Sequence, residues 1–304
     1  MPPTPPGKWP NSARAAVSFT IDNMGEAADL NRGLWPSSQP TGSHYSVKKI
    51  LPRFLSLLRE KGIPATYFVE SWNLDVYPEA VLGVVREGHE VAWHGWQHEA
   101  WSSLGEEEER GNFERSFGAI EGFVAEGRGR GVVGRYRGFR PPGGVVHGER
   151  TLQMCKRYGL QYISPAGEDA AVVDVSGGGD TIVVLPFKWR TVDAFYYMEA
   201  FSGLREEKGE GSSEVQSPET LARCYIGEIE KAVESGGYVS TLFHPFLTDG
   251  PERVRAMEIV MEFMVRKREE GEIWLARCCD VADYIQQHPG VVGRDPKWDN
   301  TSWR

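Results

Sequence analysis

The chain has 304 residues, 40% of them hydrophobic and 25% charged, enough for one large domain or two modest ones around a substantial core. A formal net charge of −9, spread along prospective helices, argues against a nucleic-acid partner. No apolar run reaches the length of a membrane span, and the Met1-Pro-Pro-Thr-Pro-Pro start lacks the charged and apolar parts of a secretory signal.

In chain order, residues 15–21 read as a buried strand. Residues 47–60 carry Ile50, Leu51, Phe54, Leu57 and Leu58 at helical spacing. Residues 65–69 read as a strand, residues 79–87 as a helix closed by Gly88, and residues 91–93 as a short strand. Residues 106–125 form a helix with Phe113, Phe117, Ile120 and Val124 on its inner face. Strand 136–139, helix 149–158, extended chain at 161–164 and a β-branched run at 181–185 follow. Residues 203–216, rich in Gly, Glu and Ser, break the rhythm and read as a surface loop or lid. Ser217-Pro218 has the N-cap and first-turn proline of a helix running to Ser235. Strand 238–243, helix 252–268 with Val254, Met257, Met261 and Met264 inward, strand 273–276 and helix 279–286 complete the pattern. About seven strand–helix units predict a parallel α/β barrel or a doubly wound sheet. Cys155, Cys224, Cys278 and Cys279 lack disulfide or metal-site spacing and read as reduced thiols of a cytoplasmic protein. The tail after Pro289, with Trp298 and Trp303, suggests docking on a neighbouring copy.

Polar residues cluster where these strands end. Asp22 and Asn23 follow the first; His94 and His98, a His-x3-His pair, follow the third; Arg140-Pro-Pro-Gly143 follows the fourth; Trp189 and Asp193 precede the long loop; His244-Pro245 closes the sixth. A parallel barrel delivers such residues to one face, where its chemistry resides. Coiled into one turn, His94 and His98 would share a face and could grip a first-row metal.

The order Asp22, His94-x3-His98, Arg140-Pro-Pro and Phe243-His244-Pro245 resembles the polysaccharide deacetylase superfamily (carbohydrate esterase family four-like) over residues 15–286. Pro186-Phe-Lys-Trp189, Asp193 and the late His-Pro are most similar to its branch of cytosolic peptidoglycan-deacetylase-like proteins, metal-free allantoinases and cyclic imide hydrolases. The resemblance implies a single domain over 1–304, a distorted (β/α)7 TIM-like barrel with flexible terminal arms, and homo-oligomers. It implies hydrolysis of an amide C–N bond on Zn²⁺, with His94, His98 and Asp22 (or Asn23) as ligands. Asp22 matches the base that takes a proton from the attacking water, Arg140 the arginine that holds that carboxylate ionised. His244 matches the acid that protonates the leaving nitrogen, and Asp193 the group that orients it. The family's aspartate ligand position is occupied by Asn23 or Met24, which leaves three routes. Asp22 is itself a ligand, Asn23 or Glu26 joins the histidines, or the metal is absent.

Gly143-Gly144 stands where the deacetylases usually carry Tyr-Gly, leaving backbone N–H groups for an oxyanion. Trp35, Trp72, Trp93, Trp96, Trp101 and Trp189 are candidates for an enclosed apolar pocket, with Trp93 best suited to the core. Trp189, Trp96, Gly143, Gly144 and Trp35 are the expected substrate-binding residues. The insert 27–45, with Asn31, Arg32 and His44, is placed over the site as a cap. The expectation is a hydrolase of a small cytosolic amide, a cyclic imide, ureide or N-acetyl compound. A polysaccharide N-deacetylase is the alternative, and a metal-free or non-catalytic binding member the second.

Overall fold

The computed structural model describes residues 7–127, 134–176, 179–209 and 213–301. Nine strands build one sheet: β1 (Ala15–Asp22), β2 (Ala65–Val69), β3 (Glu90–Trp93), β4 (Gly138–Phe139), β5 (Tyr162–Ile163), β6 (Ala171–Val175), β7 (Asp180–Val184), β8 (Tyr238–Phe243) and β9 (Ile273–Leu275). The strand order is β6-β7-β5-β4-β3-β2-β1-β8, with β9 also on β1. Every pair is parallel except β6–β7. An isolated parallel bridge between Val192 and Leu242 brings the chain beyond β7 alongside β8. The sheet thereby curls into the distorted α/β barrel that the strand–helix alternation predicts.

β1 is central and buried at all eight positions. Its run of Ala, Val, Phe and Ile gives both faces apolar cover, as a parallel strand packed on both sides requires. Helices 51–61, 78–86, 106–125, 149–157, 218–235, 251–269 and 278–287 surround the sheet. Ser217 Oγ accepts the N–H of Thr220 at 3.3 Å, so the predicted N-cap is made.

Register determines what reaches the rim. Ile21 lies opposite Phe243, and Trp93 opposite Phe139, which lies opposite Ile163. The next residue on each strand is therefore Asp22, His244, His94, Arg140 or Ser164. All lie at the C-terminal edge of the sheet, though not at one level: Asp22 pairs with Phe68 and Phe68 with Ala92, so His94 stands two residues further along and, at a period of two, on the same face.

Several expectations are corrected. The hairpin β6–β7 has no counterpart for its first strand in the sequence reading, since Asp174 interrupts the apolar run. In helix 106–125 the inner face carries Phe123 at 1% exposure, while Val124 stands out at 38%. Eleven residues on from Phe113 lies only about 20° from the starting face at 100° per residue, so the period alone favours Val124, and it is the packing of the last turn that buries Phe123 instead. Residues 202–207 are helical, with Leu204 and Arg205 buried; residues 210–212 of the expected lid lie outside the described residues. The described part of the N-terminal arm is docked: Trp9 is 2% exposed and its Nε1 donates to the Gly236 carbonyl at 3.0 Å. Trp298 packs against the barrel's own core and bridges Gly167, which removes the reason for reading it as a contact between copies. Trp303 lies outside the described residues.

Candidate active site

Arg140 organises the rim. It is fully buried and spends its whole guanidinium on neighbours. Nη1 donates to Asp22 Oδ1 at 2.8 Å and to Thr20 Oγ1 at 3.0 Å; Nη2 donates to Ser164 Oγ at 2.9 Å and Ser240 Oγ at 3.1 Å; Nε donates to Ser164 Oγ at 3.2 Å. The ring of Phe68 lies 4.0 Å from the guanidinium carbon. Four strands supply these partners, so Asp22 is fixed by the sheet itself.

His94 Nδ1 lies 2.7 Å from the Arg140 carbonyl oxygen. A carbonyl only accepts, so Nδ1 carries the proton and Nε2 presents its lone pair. Nε2 stands 3.7 Å from Asp22 Oδ2. Burial pushes the His94 pKa down to about 4, against the raising effect of Asp22. At neutral pH two acceptors therefore face each other across a gap too long for a direct hydrogen bond.

At the end of β8, the strand beside β1, His244 Nδ1 is hydrogen-bonded to Asp193 Oδ1, and the His244 N–H donates to Asp193 Oδ2 at 2.7 Å. Asp193, fully buried, also accepts from Thr248 Oγ1 at 3.3 Å. The carboxylate fixes the imidazole orientation and directs Nε2 away from itself.

The His94–His98 connection is not a helical turn. Gly95 (φ +80°) and His98 (φ +63°) adopt left-handed conformations. The turn is held by Glu99, whose carboxylate accepts the N–H groups of Trp96 and Gln97 at 3.0–3.1 Å. The imidazole rings meet edge to face, 4.9 Å between centres. Arg32 Nη2 lies 3.1 Å from His98 Nδ1, and Asn31 Nδ2 donates to the His98 carbonyl at 3.4 Å. Burial, then the neighbouring His94 imidazole and the Arg32 guanidinium, push the His98 pKa well below its usual value.

These pairs open on one pocket of about 220 Å³. Asp22, His94, Arg140, His244, Val192 and Leu242 line it from the barrel rim; Asp29, Arg32, Leu34 and His44 come from the insert, as expected for a cap. Ala194, Met198 and Phe201 complete an apolar wall. Arg205 braces that wall by donating to the carbonyls of Phe195 (2.5 Å), Met198 (3.0 Å) and Ser213 (2.7 Å).

Of the expected substrate-binding residues, Trp189 and Gly143 line the pocket. Trp96 does not: its ring lies under the Arg115 guanidinium, 5.3 Å away, on the side of helix 106–125. Trp35 stands behind the lining, 5.4 Å from the His44 ring. Gly144 N–H donates to the Pro141 carbonyl at 2.8 Å and is spent on a turn, not open for an oxyanion. Trp101 is core, packed edge to face on Trp93.

The metal expectation meets a donor set that does not fit. Among the described residues no group of three His, Cys, Asp or Glu side chains is placed to hold an ion. Asn23 spends its amide on Glu70, Nδ2 to Oε1 at 2.9 Å. Glu26 accepts from Gly42 N–H at 2.5 Å and from the Tyr77 hydroxyl. Arg32 takes the Nδ1 of His98 and brings positive charge to the same wall. Only Asp22 and His94 remain close, short of the three protein ligands that a zinc site uses.

Glu70 is the site residue that the sequence reading passed over. It follows β2 directly, the placement that singled out the others. Besides Asn23 it accepts the Met24 N–H at 3.0 Å and Asn73 Nδ2 at 3.1 Å, so it shapes the chain just after Asp22, where Asn23 has φ +61°. Burial raises its pKa to about 8, partly offset by the Met24 hydrogen bond.

Residues 40–163 match the polysaccharide deacetylase family model, a span that includes His94, His98 and Arg140. An uncharacterized 30.6 kDa protein of Geobacillus stearothermophilus is 31% identical over 36% of this chain, and the match spans only 39% of that relative. The peptidoglycan deacetylase of Helicobacter pylori is 20% identical over 79% of the chain and 85% of its own length. Among solved structures, a Mycobacterium smegmatis protein provisionally described as a polysaccharide deacetylase aligns with a TM-score of 0.75 at 24% identity, covering 99% of both chains. The PuuE allantoinase aligns with a TM-score of 0.72 at 18% identity, covering 95% of this chain and 96% of its own. At such identities the structural matches speak for the fold, and they agree with the family match in the middle of the chain. Residues 40–163 carry the match to the polysaccharide deacetylase family model, and the chain as a whole shares the fold of these solved structures.

Proposed function

We propose that this protein hydrolyses an amide C–N bond in a small polar molecule, a cyclic imide, ureide or N-acetyl compound, in the cytoplasm. The supporting observation is that Asp22, held by Arg140, and His244, held by Asp193, open on one pocket from the ends of adjacent strands. Asp22 Oδ2 accepts a proton from water as that water's oxygen attacks the carbonyl carbon. His244, protonated on both ring nitrogens, gives its Nε2 proton to the nitrogen as the C–N bond breaks. Asp193 remains a carboxylate throughout and orients the ring. The acid product leaves as its carboxylate, and the proton taken by Asp22 returns through solvent. Positioned acid and base groups each contribute about 10²–10⁴-fold. No step is routed through a metal, because the donor set does not fit one.

The cap 27–45 and the wall at 194–201 favour a small substrate over a polymer lying along a groove. The match to a peptidoglycan deacetylase over 79% of the chain supports the second reading, N-deacetylation of a polysaccharide. A panel of cyclic imides, ureides, N-acetyl amines and chitin oligomers, assayed with and without a chelator, tests both. Turnover confined to small amides is expected. Turnover confined to the oligomers gives the second reading, and no turnover of any class removes both.

A further inference from the structure

The rim lacks a metal's donor set yet still needs something to hold the carbonyl oxygen when it becomes an oxyanion. Resting on the hydrolase reading, we propose that Arg32 and His98 form the oxyanion-binding pair of this pocket, in the place where a metal ion would otherwise polarise the carbonyl.

The donor directions follow from the hydrogen bonds. Arg32 has no acceptor atom, so in its 3.1 Å contact it donates to His98 Nδ1. A neutral His98 therefore carries its proton on Nε2, the opposite tautomer to His94. Both Arg32 and His98 line the pocket. Their wall offers a cation and an N–H donor. The neighbouring wall offers two acceptors, Asp22 Oδ2 and His94 Nε2, 3.7 Å apart. A water donating one hydrogen to each acceptor would turn its lone pairs toward the pocket. The edge-to-face contact of the two imidazoles, 4.9 Å between centres, places the donor wall one side chain away. An amide carbonyl between the walls meets a nucleophile at carbon and donors at oxygen. As the new C–O bond forms, the carbonyl π electrons move to that oxygen, beside a guanidinium and an N–H.

His98 is held for this work from two sides. Its left-handed backbone belongs to the turn clamped by Glu99. Its carbonyl is tied by Asn31 and its ring by Arg32, both from the cap. Arg32 thus also couples cap position to the tautomer of a residue on the barrel rim. The ligand class is an oxyanion with two accessible oxygens or one developing charge, and acetate is its simplest stable probe.

The test combines side-chain nitrogen NMR of labelled, chelator-treated protein with zinc titration and acetate titration. In the wild type, His98 should show a bare Nδ1 and a protonated Nε2. Acetate should shift those signals, and R32A should weaken acetate binding at least about tenfold while leaving the circular dichroism spectrum unchanged. Zinc should show no stoichiometric, histidine-dependent binding. One zinc per chain that is lost in H98A overturns the proposal. So does acetate that fails to perturb His98, or that binds R32A as well as wild type. On an active panel substrate, R32A should lower kcat about 10²–10³-fold with a lesser change in KM, as loss of an oxyanion donor does. Added guanidinium should restore part of it. If R32A matches wild type while D22N is inactive, this assignment fails and the hydrolase reading stands.

Discussion

Arg140 shows how one buried side chain can decide a site. Its guanidinium is bonded to Thr20, Asp22, Ser164 and Ser240, residues from three parallel strands or their ends. Truncation would leave the Asp22 carboxylate buried without its cation, and R140M is expected to destabilise the fold by about 3–5 kcal/mol. Chemical denaturation measures this; a loss under about 1 kcal/mol would mean that Asp22 is held by other means. Two neighbouring groups give stability a pH signature. Glu70 has a folded pKa raised to about 8, so its contribution is fully present below the unfolded value near 4.5 and is lost as pH rises toward 8. His94 is lowered to about 4: the unfolded chain takes up a proton below about 6.5 that the folded chain refuses, and stability falls from there down to about pH 4. Thermal midpoints across pH 4–9 should therefore drop on both flanks, and E70Q should flatten the alkaline one. An unchanged alkaline slope in E70Q would assign it to other groups. Asp22, Arg140, His94 and His244 were legible from sequence because each sits one place beyond a strand run, and Asp193 because it resembles the family's orienting acid. Glu70 was equally placed, but an acid followed by Ser-Trp-Asn carries no pattern of its own.

At the scale of elements, two segments give the pocket its walls. Arg205 ties residues 195 and 198 to Ser213 by donating to their backbone carbonyls, sharing that of Met198 with the Phe201 N–H. R205A should cost about 2–4 kcal/mol, since buried carbonyls left without donors carry a desolvation penalty each. Its effect on catalysis should fall mainly on KM, through Met198 and Phe201, and a KM equal to wild type would separate this brace from the pocket. The Pro141–Gly144 turn is similarly exacting. Gly144 has φ +80°, and a Cβ there would stand 2.7 Å from Ala166 Cβ and 2.8 Å from Phe187 Cζ. G144A is expected to lose about 1–3 kcal/mol, measured by denaturation; neutrality would show that the turn relaxes. The sequence reading placed most helices and strands within a residue or two, because their apolar periods are strong. It overlooked β6, whose register is supplied by its antiparallel partner, and it put Val124 where Phe123 packs. Long-range pairing and the last turn of a helix depend on neighbours that a periodicity does not contain.

At the scale of the molecule, parallel strands in register convert seven distant stretches of chain into one reactive rim. That convergence was legible from sequence as strand-end chemistry. The direction in which each imidazole presents its lone pair was not, since it depends on the Arg140 carbonyl, the Asp193 carboxylate and the Arg32 guanidinium reaching it from elsewhere in the fold. The same contacts changed the reading of His94 and His98 from a ligand pair to an acceptor and a donor. Among the described residues no helix is long and apolar enough to cross a membrane. Asp22 is the residue on which the whole account turns. The decisive measurement is kcat of D22N against wild type on the best amide of the substrate panel, with folding verified by circular dichroism. The account predicts a fall of about 10²–10⁴-fold at nearly unchanged KM. Wild-type kcat in a folded D22N protein would contradict it.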